Sequence, residues 1–267
     1  LGINSKLAVP GGEVHTYGPQ YQTAANGIKP QRSDLRVIMD RNLGATGTLY
    51  SLSRTNAQNY PTYGLFYQWG RKDPFPKAAA GIEGNQVPSQ TTYQANGSTV
   101  TNFPPLVSGP TTMDVTIQNP STYYYSPASG TRDWNSSPDE TLWGDGTTKS
   151  VYDPCPEGWR IPPSQTWSDF NETTSIKNSD WTSKVNLALG GRLYSAGSVK
   201  AFFPTSGHRT GLSGEFYELG QGGCITTTTP DATPTGWSAF FTYNVNEGGR
   251  NSHYYRSYGY PVRCIQE

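Results

Sequence analysis

The chain has 267 residues, of which 15% are charged and 13% are aromatic, and its formal net charge is zero. This length allows one large domain or two small ones, with enough chain for a proper core. The neutral balance, without a basic run, argues against a nucleic-acid partner. No apolar run approaches the roughly 20 residues that a membrane-spanning helix needs.

The 30 glycines and 21 prolines interrupt nearly every window of the sequence, which predicts short strands, turns and long ordered loops rather than long helices. Residues 1–34 are polar and rich in turn signals, and we interpret them as an N-terminal extension or linker. The apolar residues of 35–43 predict the first buried strand. A second strand is predicted within 63–76, where prolines end it.

Residues 77–112 form a long polar insertion, and a short strand is predicted over 115–117. Ser164 is a suitable N-cap for a helix over about 165–172, with Trp167 and Phe170 on its core face. The C-terminal part predicts a meander of short strands. The predicted strands are 192–195, 201–204, 215–219, 224–228, 237–244 and 252–264.

The three cysteines are Cys155, Cys224 and Cys264, and an odd number leaves one outside any pair. Cys155 lies in YDPCPEGWRIPP (152–163) and Cys264 in YGYPVRCI (258–265), two similar Pro-containing stretches. We therefore predict that these two cysteines are bonded, which would indicate an oxidising compartment. The alternative is three reduced and buried cysteines.

The sequence contains no nucleophile elbow, phosphate-binding loop or C-x-x-C pair, and its three histidines are scattered. Four acids could contribute oxygen ligands to a calcium site, although they lack the spacing of a calcium-binding loop. They are Asp139, Glu140, Asp145 and Asp153. We predict no cofactor, with calcium as the alternative.

Aromatic residues in or beside polar loops are better candidates for ligand contact. An aromatic ring in a rigid loop can stack on a sugar or anchor a protein contact. The alternative is that these rings fill the core. The run RNSHYYRSYGY (250–260) adds polar neighbours to such rings. The candidate ligand-binding residues are Tyr124, Trp134, Trp237, Asn251, His253 and Tyr255.

Several strings occur in a fixed order along the chain: VIMDRNLGA (37–45), YGLFYQWGRKDPF (63–75), QNPSTYYY (118–125), LWGD (142–145), VYDPCPEGWRIPP (151–163), FPTSGHR (203–209) and YGYPVRCIQE (258–267). Together they resemble the FISUMP-type domain (Fibrobacter succinogenes major paralogous domain) of fimbrillin-like and other surface proteins of the Bacteroides group. The resemblance runs from about residue 35 to the last residue. Its most specific part is the CPxGWRxP string followed by a terminal VRC.

This resemblance implies an α+β domain with a C-type-lectin-like fold. We expect short twisted antiparallel strands, one or two short helices and long irregular loops, all within 35–267. The polar insertion at about 77–112 would interrupt this domain. The family also implies a bond between Cys155 and Cys264. Calcium-dependent sugar binding is not implied, because the motifs for it are absent.

The family further implies a non-catalytic module for cell-surface adhesion or ligand binding, at a fimbrial tip or elsewhere on the surface. Its ligand would be a host or microbial glycan or protein. One alternative is a structural fimbrial or stalk subunit that assembles with other subunits. Another is an enzyme on a formylglycine-generating-type fold, which would use Cys224. We expect an extracellular location at the outer membrane, with a signal or lipid anchor upstream of Leu1.

Overall fold

The structure is a computed structural model of the chain. It describes residues 14–16, 37–39, 41–45, 62–78, 84–86, 92–93, 99–100, 105–126, 132–144, 147–170, 182–186, 191–196, 199–230, 237–244 and 250–267. Across these ranges the fold is rich in short strands, nearly all of them paired antiparallel. No helix within them is long and apolar enough to cross a membrane.

Among the described residues, ten strands lie in the first part of the chain. They are β1 (Val14–Thr16), β2 (Val37–Met39), β3 (Phe66–Gln68), β4 (Lys77–Ala78), β5 (Gly84–Gln86), β6 (Thr92–Tyr93), β7 (Thr99–Val100), β8 (Leu106–Ser108), β9 (Tyr123–Tyr125) and β10 (Trp159–Arg160). Ten more follow. They are β11 (Thr182–Asn186), β12 (Gly191–Ala196), β13 (Val199–Pro204), β14 (His208–Arg209), β15 (Phe216–Leu219), β16 (Gly222–Pro230), β17 (Trp237–Asn244), β18 (Arg250–Tyr255), β19 (Gly259–Pro261) and β20 (Ile265–Gln266).

The first sheet joins the beginning, the middle and the end of the chain, in the order β1-β2-β20-β10. Ile38 of β2 pairs with Ile265 of β20, and Arg160 of β10 pairs with Ile265 from the other side. The last strand therefore lies in the interior of this sheet. The stretches that contain Cys155 and Cys264 are neighbours as a result.

A five-stranded sheet, β3-β19-β14-β15-β5, lies next along the C-terminal segment. Tyr260 of β19 pairs with Tyr67 of β3, and His208 of β14 pairs with Tyr217 of β15. Two smaller units are a three-stranded sheet, β4-β6-β7, and the parallel pair β8-β9. The five-stranded sheet brings segments that are far apart in sequence into one row.

Two three-stranded meanders, β11-β12-β13 and β16-β17-β18, make up most of the C-terminal part. The predicted meander is confirmed there, and β17 has the predicted bounds. The strand predicted over 252–264 is wrong in extent, because a turn divides it. In that turn the Tyr258 backbone N–H donates to the Tyr255 carbonyl at 3.2 Å. β18 ends before the turn and β19 begins after it.

Helices are few and short in the described part. The strand predicted over 115–117 is wrong, because these residues belong to helix α1 (Met113–Gln118). Thr112 caps α1, since its hydroxyl accepts from the Val115 N–H, and Pro120 follows the helix end. The helix predicted over about 165–172 is a 3₁₀ helix, Ser164–Phe170. The described residues thus contain two short helices among many short strands, as expected.

A disulfide joins Cys155 to Cys264, with a Cα–Cα distance of 6.0 Å. The pairing predicted from the two similar stretches is confirmed. The bond closes a loop over a sequence separation of 109 residues, and both cysteines are buried. Cys224 forms no disulfide. The disulfide fixes the C-terminal segment against the turn that leads into β10.

A partly buried ion pair supports the turn around Cys155. The Lys149 ammonium donates to the Asp153 carboxylate at 3.0 Å and to the Cys155 carbonyl at 2.6 Å. The Asp153 carboxylate also accepts the backbone N–H groups of Cys155 and Ile161. Burial raises the pKa of Asp153, and the Lys149 charge opposes that rise. Asp153 therefore organises the turn that presents Cys155 to its partner.

We expect replacement of both Cys155 and Cys264 by Ser to lower the free energy of unfolding by about 3–5 kcal/mol, because the unfolded chain regains the entropy of a long loop. Urea unfolding of this variant and of the wild type measures the difference. The thiol count is the control: denatured, unreduced wild-type protein should show one reactive thiol and reduced protein three. Three thiols before reduction would contradict the disulfide.

Candidate functional site

A continuous row of aromatic rings crosses the five-stranded sheet and the turn that follows β18. We call it the aromatic belt, and it consists of Tyr217, His208, Tyr258, Tyr260, Tyr254 and Tyr255. The antiparallel pairing of β14 with both β15 and β19 brings the first four rings together. The other two, Tyr254 and Tyr255, lie at the end of β18, and the turn between β18 and β19 brings them beside Tyr258. Two sheets therefore supply one aromatic surface.

The rings of the belt pack directly on one another. The His208 ring centroid lies 5.4 Å from the Tyr217 centroid and 5.4 Å from the Tyr258 centroid. Tyr258 meets Tyr254 edge to face at 4.6 Å and stacks on Tyr260 at 5.9 Å. Tilted and edge-to-face contacts at these distances are favourable for aromatic rings. Three ring contacts thus connect Tyr217 to Tyr254.

Exposure differs sharply along the belt. Tyr217 is 39% exposed and Tyr254 is 36% exposed, whereas His208, Tyr258 and Tyr260 are buried. The buried rings form a base, and the two exposed rings project from its ends. A tyrosine ring that is held against packed neighbouring rings loses little entropy when it binds a partner. The belt is therefore a pre-organised contact surface.

Charged residues flank the belt at two places. The Glu218 carboxyl lies 4.0 Å from His208 Nδ1, and its side chain is 44% exposed. The Arg132 guanidinium lies over the Tyr255 ring, 4.2 Å from its centroid. Both residues have left-handed backbone, with φ of 55° for Glu218 and 50° for Arg132. They are the only non-glycine residues with positive φ in the described ranges. Such outliers concentrate at functional sites.

Burial keeps the base of the belt uncharged. Loss of solvent lowers the pKa of His208 from 6.5 to about 3, so its imidazole is neutral at neutral pH. Burial also raises the pKa values of Tyr258 and Tyr260 above the ordinary value for a phenol. The pKa of Glu218 is raised by burial as well. Neutral rings with one carboxyl group at the rim therefore define the chemistry of the surface.

Trp134 and Tyr124, two of the predicted ligand-binding residues, lie in the interior. Trp134 has no exposed surface, and its indole N–H donates to the Trp69 carbonyl at 2.7 Å. Tyr124 is also buried and packs in the same core cluster. The expectation that these rings are exposed in loops is wrong, because the polar turn containing Asp133 folds inward. Its carboxylate lies 3.6 Å from the buried Arg256 guanidinium.

The other predicted residues lie in or near β18. Tyr255 is part of the belt but only 8% exposed, and His253 is exposed. Trp237 and Asn251 belong to the β17–β18 pair, but their side chains are outside the described part. The register places the Trp237 backbone opposite Tyr255. Of the six predicted residues, Tyr255 is the one that belongs to the belt.

Five belt residues and the Glu218 carboxyl at the rim are outside the predicted set; the five are Tyr217, His208, Tyr254, Tyr258 and Tyr260. Tyr258 and Tyr260 had a signal, since they continue the aromatic run from Tyr254. Tyr217 and Glu218 had none, because only the pairing of β14 with β15 brings them to the belt. Long-range strand pairing decides the composition of this surface.

Cys224 lies beneath the belt. It is buried and packs with Tyr255, Tyr258 and Tyr260. A nucleophilic cysteine needs access to its substrate, and this position does not provide it. Two of the acids considered for calcium have local protein partners: Asp139 accepts the Thr141 N–H, and Asp153 binds Lys149. Within the described ranges no cluster of three or more His, Cys, Asp or Glu residues could hold a metal ion.

Comparison of the chain with protein-family models, with curated proteins and with solved structures gave no match. The resemblance to the FISUMP-type domain therefore stays a prediction that rests on sequence motifs. The structure itself supports a coarser description, a sheet-rich fold closed by one disulfide. The functional proposal therefore rests on the aromatic belt.

We expect the stability of the protein to fall in mild acid because of His208. The unfolded chain binds a proton at this residue near pH 6.5 but the folded protein only near pH 3, so acid favours the unfolded state between those values. The contribution is complete above pH 6.5 and is lost as the pH falls. Between pH 7 and pH 5 it amounts to about 2 kcal/mol.

His208→Phe keeps an aromatic ring in the belt and removes the titrating group. Urea unfolding at pH 7 and pH 5 should therefore show a smaller loss of stability in this variant than in the wild type. Glu218 has a raised pKa, which acts in the opposite direction in both proteins and cancels in the comparison. An identical loss in both proteins would show that His208 is not buried in its neutral form.

Proposed function

We propose that the protein is a non-catalytic ligand-binding module and that the aromatic belt is its contact surface. The observation that carries this proposal is the pair of exposed rings, Tyr217 and Tyr254, on a base of buried rings. Binding energy at protein surfaces concentrates on a few well-supported side chains, among which Tyr is enriched. Rigid tyrosines supply contact area at low entropic cost.

We place this module at the cell surface, as an adhesion domain of the FISUMP type with a C-type-lectin-like fold. The sequence motifs support the family and the fold. The disulfide supports export, because such bonds persist mainly in oxidising compartments. A host or microbial surface would be the partner of the belt.

A structural role in assembly is the second candidate. Three apolar side chains are exposed in the segment formed by β8 and α1: Val107 at 42%, Val115 at 37% and Ile117 at 55%. Exposed apolar groups that are close in sequence are typical of subunit contacts. The two candidates use different residues, so that substitutions can separate them.

We expect Tyr217→Ala combined with Tyr254→Ala to reduce the adhesion of protein-coated beads to target cells by about tenfold or more, because both projecting rings are lost. The matched control is Val151→Ala, which shortens a side chain that is 77% exposed and outside the belt. Counting bound beads measures the effect, and unchanged thermal unfolding shows that the variants are folded.

The combined substitution Val115→Ser and Ile117→Ser tests assembly. Adhesion that survives loss of the two tyrosines, together with self-association that disappears in this second variant, would replace the binding proposal with the structural one. Sedimentation of the purified protein measures self-association.

A further inference from the structure

The close packing of the rings restricts what the belt can bind. Neighbouring rings are in contact, with centroid separations of 4.6 Å for Tyr254–Tyr258 and 5.4 Å for His208–Tyr258. A cage for a cationic group needs rings that stand apart around the cation. A ligand must therefore lie on the belt instead of entering it. A ligand with flat faces that carry C–H groups can pack on such a surface.

The exposed groups combine apolar faces with polar atoms. Tyr217 and Tyr254 each offer a ring face and a phenolic hydroxyl, and Glu218 adds a half-exposed carboxyl. A sugar ring has the same combination, with C–H groups on its face and hydroxyls around its edge. An ionised carboxyl accepts several hydroxyl hydrogens at once and forms stronger hydrogen bonds than a neutral acceptor.

The backbone holds Glu218 in place for this role. Its carbonyl accepts the Gln221 N–H at 3.0 Å in the turn between β15 and β16. A Cβ on Gly222 would lie 2.8 Å from the Glu218 carboxylate oxygen, so this glycine leaves the space that the side chain occupies. The left-handed backbone and the neighbouring glycine together direct the carboxyl toward the belt.

His208 provides a second observation at the same place. Its Nδ1 atom is buried and has no hydrogen-bond partner among the described residues. The 4.0 Å separation from Glu218 is too long for a hydrogen bond. The carboxyl therefore keeps its acceptor sites for a ligand.

We propose, on the basis of the binding function assigned above, that the belt binds an oligosaccharide: Tyr217 and Tyr254 stack on two of its sugar rings and Glu218 accepts hydroxyl hydrogens between them. Two buried rings separate the exposed ones, so one sugar ring covers only one tyrosine. A chain of at least two rings is needed to use both. No metal ion takes part in this arrangement.

The direct test is an array of immobilised neutral linear oligosaccharides, probed with the whole protein in the presence of a metal chelator. Free monosaccharides serve as competitors. We expect binding to an oligosaccharide that the matching monosaccharide displaces poorly. Tyr217→Ala and Tyr254→Ala should each weaken binding about two- to tenfold. Glu218→Gln, which keeps the shape of the side chain, should weaken it about tenfold or more.

Val151→Ala is again the control and should bind as the wild type does. Glu218→Asn provides a second variant at this position, because Asn tolerates left-handed backbone. Binding to the array that is unaffected by all belt substitutions would overturn the proposed site. Binding that is seen without the chelator and is lost in its presence would overturn the metal-free arrangement.

A further measurement separates oligosaccharide binding from the more general adhesion proposal. Mild periodate oxidation of the target cells destroys vicinal diols and should abolish the adhesion of coated beads. Adhesion that depends on Tyr254 but resists periodate, with no binding to the array, would leave a protein-binding belt and overturn the oligosaccharide. Adhesion that does not depend on Tyr254 would overturn both.

Discussion

The bond between Cys155 and Cys264 is the constraint on which the rest of the structure depends. It holds the C-terminal segment against the turn before β10, and β20 then pairs with both β2 and β10. Next to the bond, the buried Arg263 donates to the Asn42 side chain at 3.1 Å and to the Phe202 carbonyl at 2.7 Å. The first, middle and last motifs therefore converge on one short segment.

The same segment carries four of the six rings of the aromatic belt. Tyr258 and Tyr260 precede Cys264 by only a few residues, and Tyr254 and Tyr255 precede Tyr258. The disulfide limits the movement of this part of the chain, so the rings keep their mutual packing. Stability and proposed function are thus linked through the C-terminal segment. The scaffold determines where the belt lies, and the exposed rings determine what it can contact.

Local signals in the sequence predicted part of the scaffold. The position of Cys155 and Cys264 in two motif stretches predicted the bond between them, and strand-like runs between turns predicted the meander that contains β17. The helix α1 was missed because Val115 and Ile117 favour strands as single residues. The capping hydroxyl of Thr112 outweighs that preference.

The interior was predicted less well because its polar content is unusual. Four arginines, Arg71, Arg209, Arg256 and Arg263, are at most 1% exposed, and composition normally assigns such residues to the surface. They stack on aromatic rings, as Arg256 does on Trp69 at 4.3 Å. Polar, turn-rich segments can therefore fold inward and carry Trp134 with them. Belt members such as Tyr217 arise from strand pairing, which the local sequence does not encode.

Hydroxyl-radical footprinting of the protein, free and bound to target cells, can show whether the aromatic belt is the contact surface. It reports the accessibility of each aromatic side chain by its rate of oxidation. We expect Tyr217 and Tyr254 to be oxidised in the free protein and protected in the bound protein. Equal oxidation of both rings in the two states, with protection on another surface, would show that the belt is not the contact surface.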